Sequence, residues 1–261
     1  MNKLLQTILT SAGAALIVLT ITSCATSVTG RKQFIMTSAG EETQMGLQAF
    51  NQMKKEVPIS TNPQYKSLVE RVGARIAEQA KDRMPDAKWE FVVFESKEAN
   101  AFCLPGGKIG IYTGILPITQ NEAGLAAVIG HEVAHASNRH GGERMSQAQA
   151  VQTATAVAGQ VVSEQYSAVT MVALGGLGKV GIELPFSRAH ESEADHVGLL
   201  YMAKAGYDPE EAVHFWERFS KANAGAPQQM ELLRTHPVDA TRIADLKGWM
   251  PEAKALMPKG K

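Results

Sequence analysis

Cysteine is scarce in this chain: Cys24 and Cys103 are the only two among 261 residues. At most one disulfide could form, so a disulfide-stapled scaffold is excluded. Neither sign of charge is in excess, because 26 Lys and Arg balance 26 Asp and Glu. That balance offers no basic stripe for nucleic acid and no acidic block of the kind that forms a solvating tail. Long apolar runs are missing beyond the N-terminal segment. The longest uncharged apolar stretch there, 165–178, has 14 residues with three glycines, short of the roughly 20 that a bilayer span requires. Repeats and low-complexity segments are missing as well. What is present is a 44% hydrophobic chain, enough to bury the core of one large domain or two small ones.

The first residues stand apart from the rest. Lys3 precedes LLQTILTSAGAALIVLTIT, a stretch too short and too broken for a spanning helix with proper flanks. It ends at ITSC, where small Thr22 and Ser23 precede Cys24. This resembles a bacterial lipoprotein lipobox, with Ile21 standing where leucine is commonest. The resemblance implies a signal peptide over 1–23, cleavage before Cys24, and lipid on the thiol and new amino group of Cys24. Ala25 resembles the outer-membrane sorting pattern of Gram-negative lipoproteins, which implies a bacterial cell-envelope protein at the outer membrane, facing the periplasm. An uncleaved anchor helix is the alternative. Residues 24–37 read as a linker leading away from the lipid.

Local patterns then mark out one domain over 38–258. Ser38 and Glu41 have capping-box spacing and should start a helix. Asn62 and Pro63 supply an N-cap and a first-turn proline, and Leu68, Val69, Val72 and Ile76 recur at helical spacing. Trp89, Phe91 and Val93 alternate as in a strand, and a turn at 105–107 feeds a second strand through Ile109 and Ile111. Cys103, between Phe102 and Leu104, reads as a small buried hydrophobe. Thr119 and Glu122 form a further capping box. Helices are expected over 187–204, after Asp208–Pro209, and over 239–249. The Ala-, Val-, Gly- and Gln-rich stretch 145–184 reads as a helical hairpin or flap. Few strands beside many helices give an α+β, mostly helical fold.

Inside the helix opened near Glu122, the apolar run AAVIG is followed by HEVAH. Residues four apart lie about 40° apart around a helix axis, so His131 and His135 project from one face and can close on one ion. Glu132 lies about 100° round from His131, poorly aimed as a ligand but suited to act as general base toward a water that the metal acidifies. This is the mechanics of the H-E-x-x-H motif. A zinc hydrolase needs a third protein ligand and an open fourth position. Asn138 and Gly141 stand where one solution would place Gly and His, and His140 is one residue out of step. The segment SRAHESEADHVG offers the other solution, a carboxylate from a downstream helix: Glu191 and Asp195 share a face and Glu193 points to the opposite side. Glu191 is assigned to the metal, and Asp195 to a hydrogen bond with the distal nitrogen of a liganding histidine. His190 and His196 read as surface or packing residues.

HEVAH, followed 56 residues after His135 by ESEAD with SR before it, resembles the zinc metallopeptidases grouped with the CAAX prenyl protease, HtpX and BepA. The resemblance covers roughly residues 38–250. It implies a gluzincin-type peptidase domain holding one Zn2+ per chain, with Glu191 as third ligand and Asp195 beside it. NAFCLPGGKIGIYTG is similar to a family segment in which an edge strand of a small sheet lines the cleft and pairs with substrate. That strand would be 108–112, making Asn100, Ala101, Ile109 and Ile111 substrate-binding residues. THPVDATR resembles the family's late His-Pro segment, which implies that His236 and Arg242 stabilise the oxyanion of the tetrahedral intermediate. The implied activity is a membrane-tethered endopeptidase acting on polypeptides, namely misfolded or unassembled envelope proteins, with envelope assembly machinery as a further partner and no nucleic acid. The rival is a non-proteolytic chaperone or assembly factor using the same zinc-bearing fold, in which a late histidine such as His236 closes the site.

Overall fold

The computed structural model describes residues 24–159, 187–224, 230–237 and 239–258. The leader expected over 1–23 and the later part of the expected hairpin or flap lie outside the described residues. In chain order the elements are β1 (Cys24–Thr26), β2 (Lys32–Phe34), α1 (Ala39–Glu56), α2 (Pro63–Ala80), β3 (Glu90–Phe94), β4 (Ala101–Leu104) and β5 (Lys108–Tyr112). There follow α3 (Leu116–Thr119), α4 (Glu122–Ser137), α5 (His140–Gly159), α6 (Arg188–Lys204), α7 (Glu210–Ala224), α8 (Glu231–Thr235) and α9 (Ala240–Ala255). The mostly helical fold with a small sheet is as the patterning implies. The described residues divide into two compact units, 24–38 with 142–159, and 39–141 with those from 187 onward.

In the first unit, residues expected as a linker form a hairpin. β1 pairs antiparallel with β2, Cys24 opposite Phe34. Arg31 in the turn donates to both carboxylate oxygens of Glu143, at 2.8 and 2.7 Å, and Gln33 adds a third hydrogen bond at 3.1 Å. Glu143 is buried, and a buried carboxylate persists only where it is paired and hydrogen-bonded in this way. Ser146 accepts from the Met36 backbone N–H at 2.8 Å.

The second unit holds the sheet and the main core. Its strand order is β3-β5-β4, with β5 parallel to β3 and antiparallel to β4. This corrects the edge-strand expectation: 108–112 is the central strand, and Ile109 and Ile111 have no exposed surface. Both backbone sides of β5 are already taken by neighbours, so neither residue can pair with a substrate. The two edges that flank β5 are β3 and β4. One face of the sheet carries a small aromatic cluster of Phe50, Phe94, Phe102 and Tyr112. The other joins the large aliphatic core that surrounds α4.

Helix starts follow local chemistry. Asn62 accepts from the N–H groups of Gln64 and Tyr65 ahead of Pro63, as its cap position demands. For α4 the cap is Asn121, whose side chain accepts from Gly124 N–H at 2.8 Å. Thr119 does not cap it, because its hydroxyl bonds back to the Leu116 carbonyl in α3. Ser187 caps α6 through His190 N–H, and Asp239 caps α9 through Arg242 N–H. α9 runs through Pro251 to Ala255, past the expected stop at 249; Ala253 is fully buried, and its packing carries the last turn over the hydrogen bond that proline cannot make.

The placement that matters most for the site is α6 against α4. These helices meet at Gly130 and Gly198. A Cβ on Gly198 would stand 2.8 Å from the His131 backbone nitrogen, and one on Gly130 would stand 2.9 Å from the Gly198 carbonyl oxygen. Only glycine allows backbones this close, and the contact falls at the first histidine of HEVAH.

Candidate metal centre

α4 is apolar and buried nearly all round, so His131, Glu132 and His135 sit in the interior, each at most 4% exposed. α6 crosses it and brings Glu191 to the same point. His131 Nε2 lies 3.1 Å from His135 Nε2 and 3.5 Å from Glu191 Oε2, while His135 Nε2 lies 3.3 Å from Glu191 Oε1. His236, at the C-terminal end of α8, completes the group. Its Nδ1 is 3.3 Å from His131 Nε2 and 2.9 Å from Glu191 Oε1. One ligand atom from each of these four buried residues lies within 4.8 Å of every other.

Those spacings fit a tetrahedral cation. Zn–N bonds of about 2.0–2.1 Å put neighbouring ligand atoms roughly 3.3–3.4 Å apart, inside the observed range of 2.9 to 3.5 Å. Electrostatics agree. Burial pushes His131 toward neutrality, yet the accepting carboxylates of Asp195 and Glu191 outweigh it and lift the imidazole to about 9. Burial also opposes a charge on Glu191, but His236 and the histidine hydrogen bonds hold its carboxyl well below the usual range. The pocket thus favours positive charge at the centre of the carboxylates. Glu132 has a buried Oε1 with no hydrogen-bond partner, 3.7 Å from His236 Nε2. Burial raises its pKa, against the pull of His236 and His131. An orphaned carboxylate oxygen beside four ligand atoms suits a proton acceptor for water.

Outer residues fix the ligands. Asp195 Oδ1 stands 3.0 Å from His131 Nδ1, which leaves Nε2 for the metal. Arg242 donates to Asp195 from Nε at 2.6 Å and from Nη2 at 2.7 Å. Its Nη1 serves Glu191 Oε2 and the Pro237 carbonyl, both at 2.7 Å. Every guanidinium nitrogen is therefore engaged within the protein, and the group lies 4.7 Å from the Trp216 ring centre. Arg242, expected to stabilise an oxyanion, here clamps the two carboxylates, and His236, given the same expectation, stands among the ligand atoms.

Asn100 and Ala101 are buried at the start of β4; Asn100 Oδ1 accepts from the Ala101 N–H at 2.9 Å. Cys103 lies on the same strand, and burial together with the Glu132 carboxylate raises its thiol pKa. Cys24 begins the hairpin of the other unit. His196 stacks on Trp249 near the surface, as a packing histidine should. Glu193, on the opposite side of α6 from Glu191 and Asp195, is buried, and His190 is a buried packing histidine. Trp216, edge-on to His131 at 5.2 Å, carried no sequence signal beyond its place on an amphipathic helix.

Residues 63–250 match Peptidase family M48. The mitochondrial metalloendopeptidase OMA1 of Schizosaccharomyces pombe is 36% identical over 87% of this chain and 66% of its own length. OMA1 of Saccharomyces cerevisiae is 33% identical over 88% of this chain and 69% of its own. The beta-barrel assembly-enhancing protease of Escherichia coli is 27% identical over 80% and 44%. The chain thus spans about two thirds of the yeast relatives and less than half of the bacterial one. These comparisons overturn the placement at a bacterial outer membrane, since the two yeast relatives, at 36% and 33% identity, are mitochondrial proteins. Through the matched span, and with its HEVAH and Glu191 brought together, the chain belongs to peptidase family M48, whose members are metal-dependent peptidases.

Proposed function

We propose that this chain is a zinc endopeptidase that cuts internal bonds of extended or unfolded polypeptides. The observation that carries the reading is Glu132, buried with an unpartnered oxygen beside the ligand atoms of His131, His135 and Glu191. When bound there, zinc supplies Lewis-acid chemistry toward a peptide carbonyl and acidifies water toward a pKa of about 7. Glu132 takes the proton from the attacking water and returns it to the leaving nitrogen, a transfer its raised pKa favours. Asp195 and Arg242 hold His131 and Glu191 in place through the reaction.

Substrate binds along β4. Tyr112 N–H donates to the Asn100 carbonyl, which sets the alternation so that the backbone groups of Ala101 and Cys103 point away from β5. The Ala101 N–H is met by Asn100, which leaves the Ala101 carbonyl and both polar groups of Cys103 for an extended peptide. β4 packs on α4, and Cys103 lies near enough to feel the Glu132 charge, so a strand added here runs past the metal.

His236 stands at the fourth corner of the tetrahedron and holds the enzyme latent until α8 shifts. The same observation favours the second reading, a non-proteolytic assembly factor with a closed zinc site. The client class is misfolded or unassembled membrane-associated protein, supported by the relative named for beta-barrel assembly. Membrane attachment runs through segment 1–23 retained as an uncleaved anchor, the reading that does not depend on a bacterial envelope; among the described residues no helix is long and apolar enough to cross a membrane.

The test is cleavage of casein by the full chain, with bound zinc quantified. Glu132→Gln should keep the zinc and abolish cleavage. Parental cleavage by that variant contradicts the mechanism, and zinc without cleavage in the parent and in His236→Ala supports the assembly-factor reading.

A further inference from the structure

The two liganding histidines of α4 are braced differently from behind. Behind His131, the Asp195 carboxylate stands 3.0 Å from Nδ1. Behind His135 stands a second, fully buried group. His135 Nδ1 lies 3.0 Å from His140 Nδ1, and His140 Nε2 lies 3.0 Å from Glu193 Oε2. His140 has no exposed surface, Glu193 is 4% exposed, and the His190 ring stacks on His140 at 4.6 Å.

The proton positions along this row follow from one constraint. A histidine that offers Nε2 to a metal keeps its hydrogen on Nδ1. His135 Nδ1–H then donates, so His140 Nδ1 must accept, and His140 carries its own hydrogen on Nε2. That hydrogen is donated to Glu193, an anionic acceptor that strengthens the bond. Reversing any one tautomer sets two donors or two acceptors face to face. Glu193 comes from α6, two residues after Glu191 and two before Asp195. One helix therefore supplies the third ligand and the terminal carboxylates behind both histidines.

We infer that His140 and Glu193 are positioning residues of the metal centre: they form a relay that fixes the tautomer and ring orientation of His135 and raises its basicity toward the ion. This rests on the proposed zinc site. Removing partners of this kind elsewhere costs about 10–100-fold in metal affinity.

The test is zinc affinity of the full chain, measured by competition with a chromophoric chelator, alongside the melting temperature of the metal-free protein and the visible spectrum of the cobalt-substituted form. His140→Phe keeps a ring to stack on His190 but has neither nitrogen. It should bind zinc about 10–100-fold more weakly and shift the cobalt bands. Glu193→Gln retains an acceptor oxygen without the charge, so its loss should be smaller than that of Glu193→Ala. This graded order would not arise from lost packing alone. Parental zinc affinity, within twofold, and an unshifted cobalt spectrum in both His140→Phe and Glu193→Ala would overturn the inference. If His140→Phe fails to fold without metal, the two Glu193 variants decide, and equal affinity in both contradicts the relay. A parent that binds no zinc defeats the proposed metal site itself, a distinguishable result.

Discussion

Gly198 of α6 lies against the backbone of His131 in α4, so close that a Cβ there would stand 2.8 Å from the histidine's backbone nitrogen. The atoms it would strike are main-chain and cannot swing aside. Gly198→Ala must therefore push the two helices apart at the point where α6 delivers Glu191 and Asp195. Overpacking of this kind costs about 1–3 kcal/mol. We expect a lower melting temperature and weakened zinc binding together. A variant of parental stability and parental zinc affinity would show that the close crossing is dispensable.

The clamp from Arg242 should matter for geometry as much as for charge. Arg242→Lys keeps the positive charge but cannot reach Asp195 with two parallel bonds while also serving Glu191 and Pro237. Breaking a buried pair of this sort costs about 3–5 kcal/mol when one partner is removed. We expect Arg242→Lys to bind zinc less tightly and Arg242→Ala to be strongly destabilised in thermal unfolding. An Arg242→Lys enzyme with unchanged zinc affinity and kcat would restore the simpler view of Arg242 as a charge facing substrate.

If His236 closes the fourth corner, opening it should raise the basal rate. His236→Ala is expected to cleave casein faster than the parent while retaining zinc on the remaining three ligands. Cleavage abolished with zinc still bound would instead assign His236 a direct part in the reaction.

Cys103 provides a check on the environment of Glu132. Burial and the neighbouring carboxylate both raise its thiol pKa, so the thiolate fraction at pH 8 is below that of a free cysteine. In the native protein, alkylation of Cys103 by iodoacetamide, followed by peptide mapping, should be far slower than in denaturant. Rapid native labelling would contradict this packing of β4 on α4.

How far the sequence revealed this site depends on the range of the signal. HEVAH and the Glu191/Asp195 pair were legible because helical periodicity is local, and four-residue spacing places side chains on one face. The order of the sheet was not. That β5 lies between β3 and β4 depends on a parallel pairing of distant segments, which alternation in KIGIY does not encode. Residues 24–34 read as a linker because nothing within them announces that Arg31 and Gln33 will meet Glu143. Read as a ligand, His140 is one residue short of the position that role would need, and its place behind His135 depends on a break in the helix. α4 ends at Ser137, Arg139 adopts φ +56°, and the chain turns so that His140 returns behind His135. Glu193 does point away from the Glu191 and Asp195 face, but that this side of α6 is also buried and meets His140 is a long-range fact that helical spacing does not carry.

The most direct measurement is zinc stoichiometry in the purified full chain and in Glu191→Ala. We predict one zinc per parental chain and loss of the metal in the variant. Stoichiometric zinc retained by Glu191→Ala would contradict the convergence of α4 and α6 on a single ion.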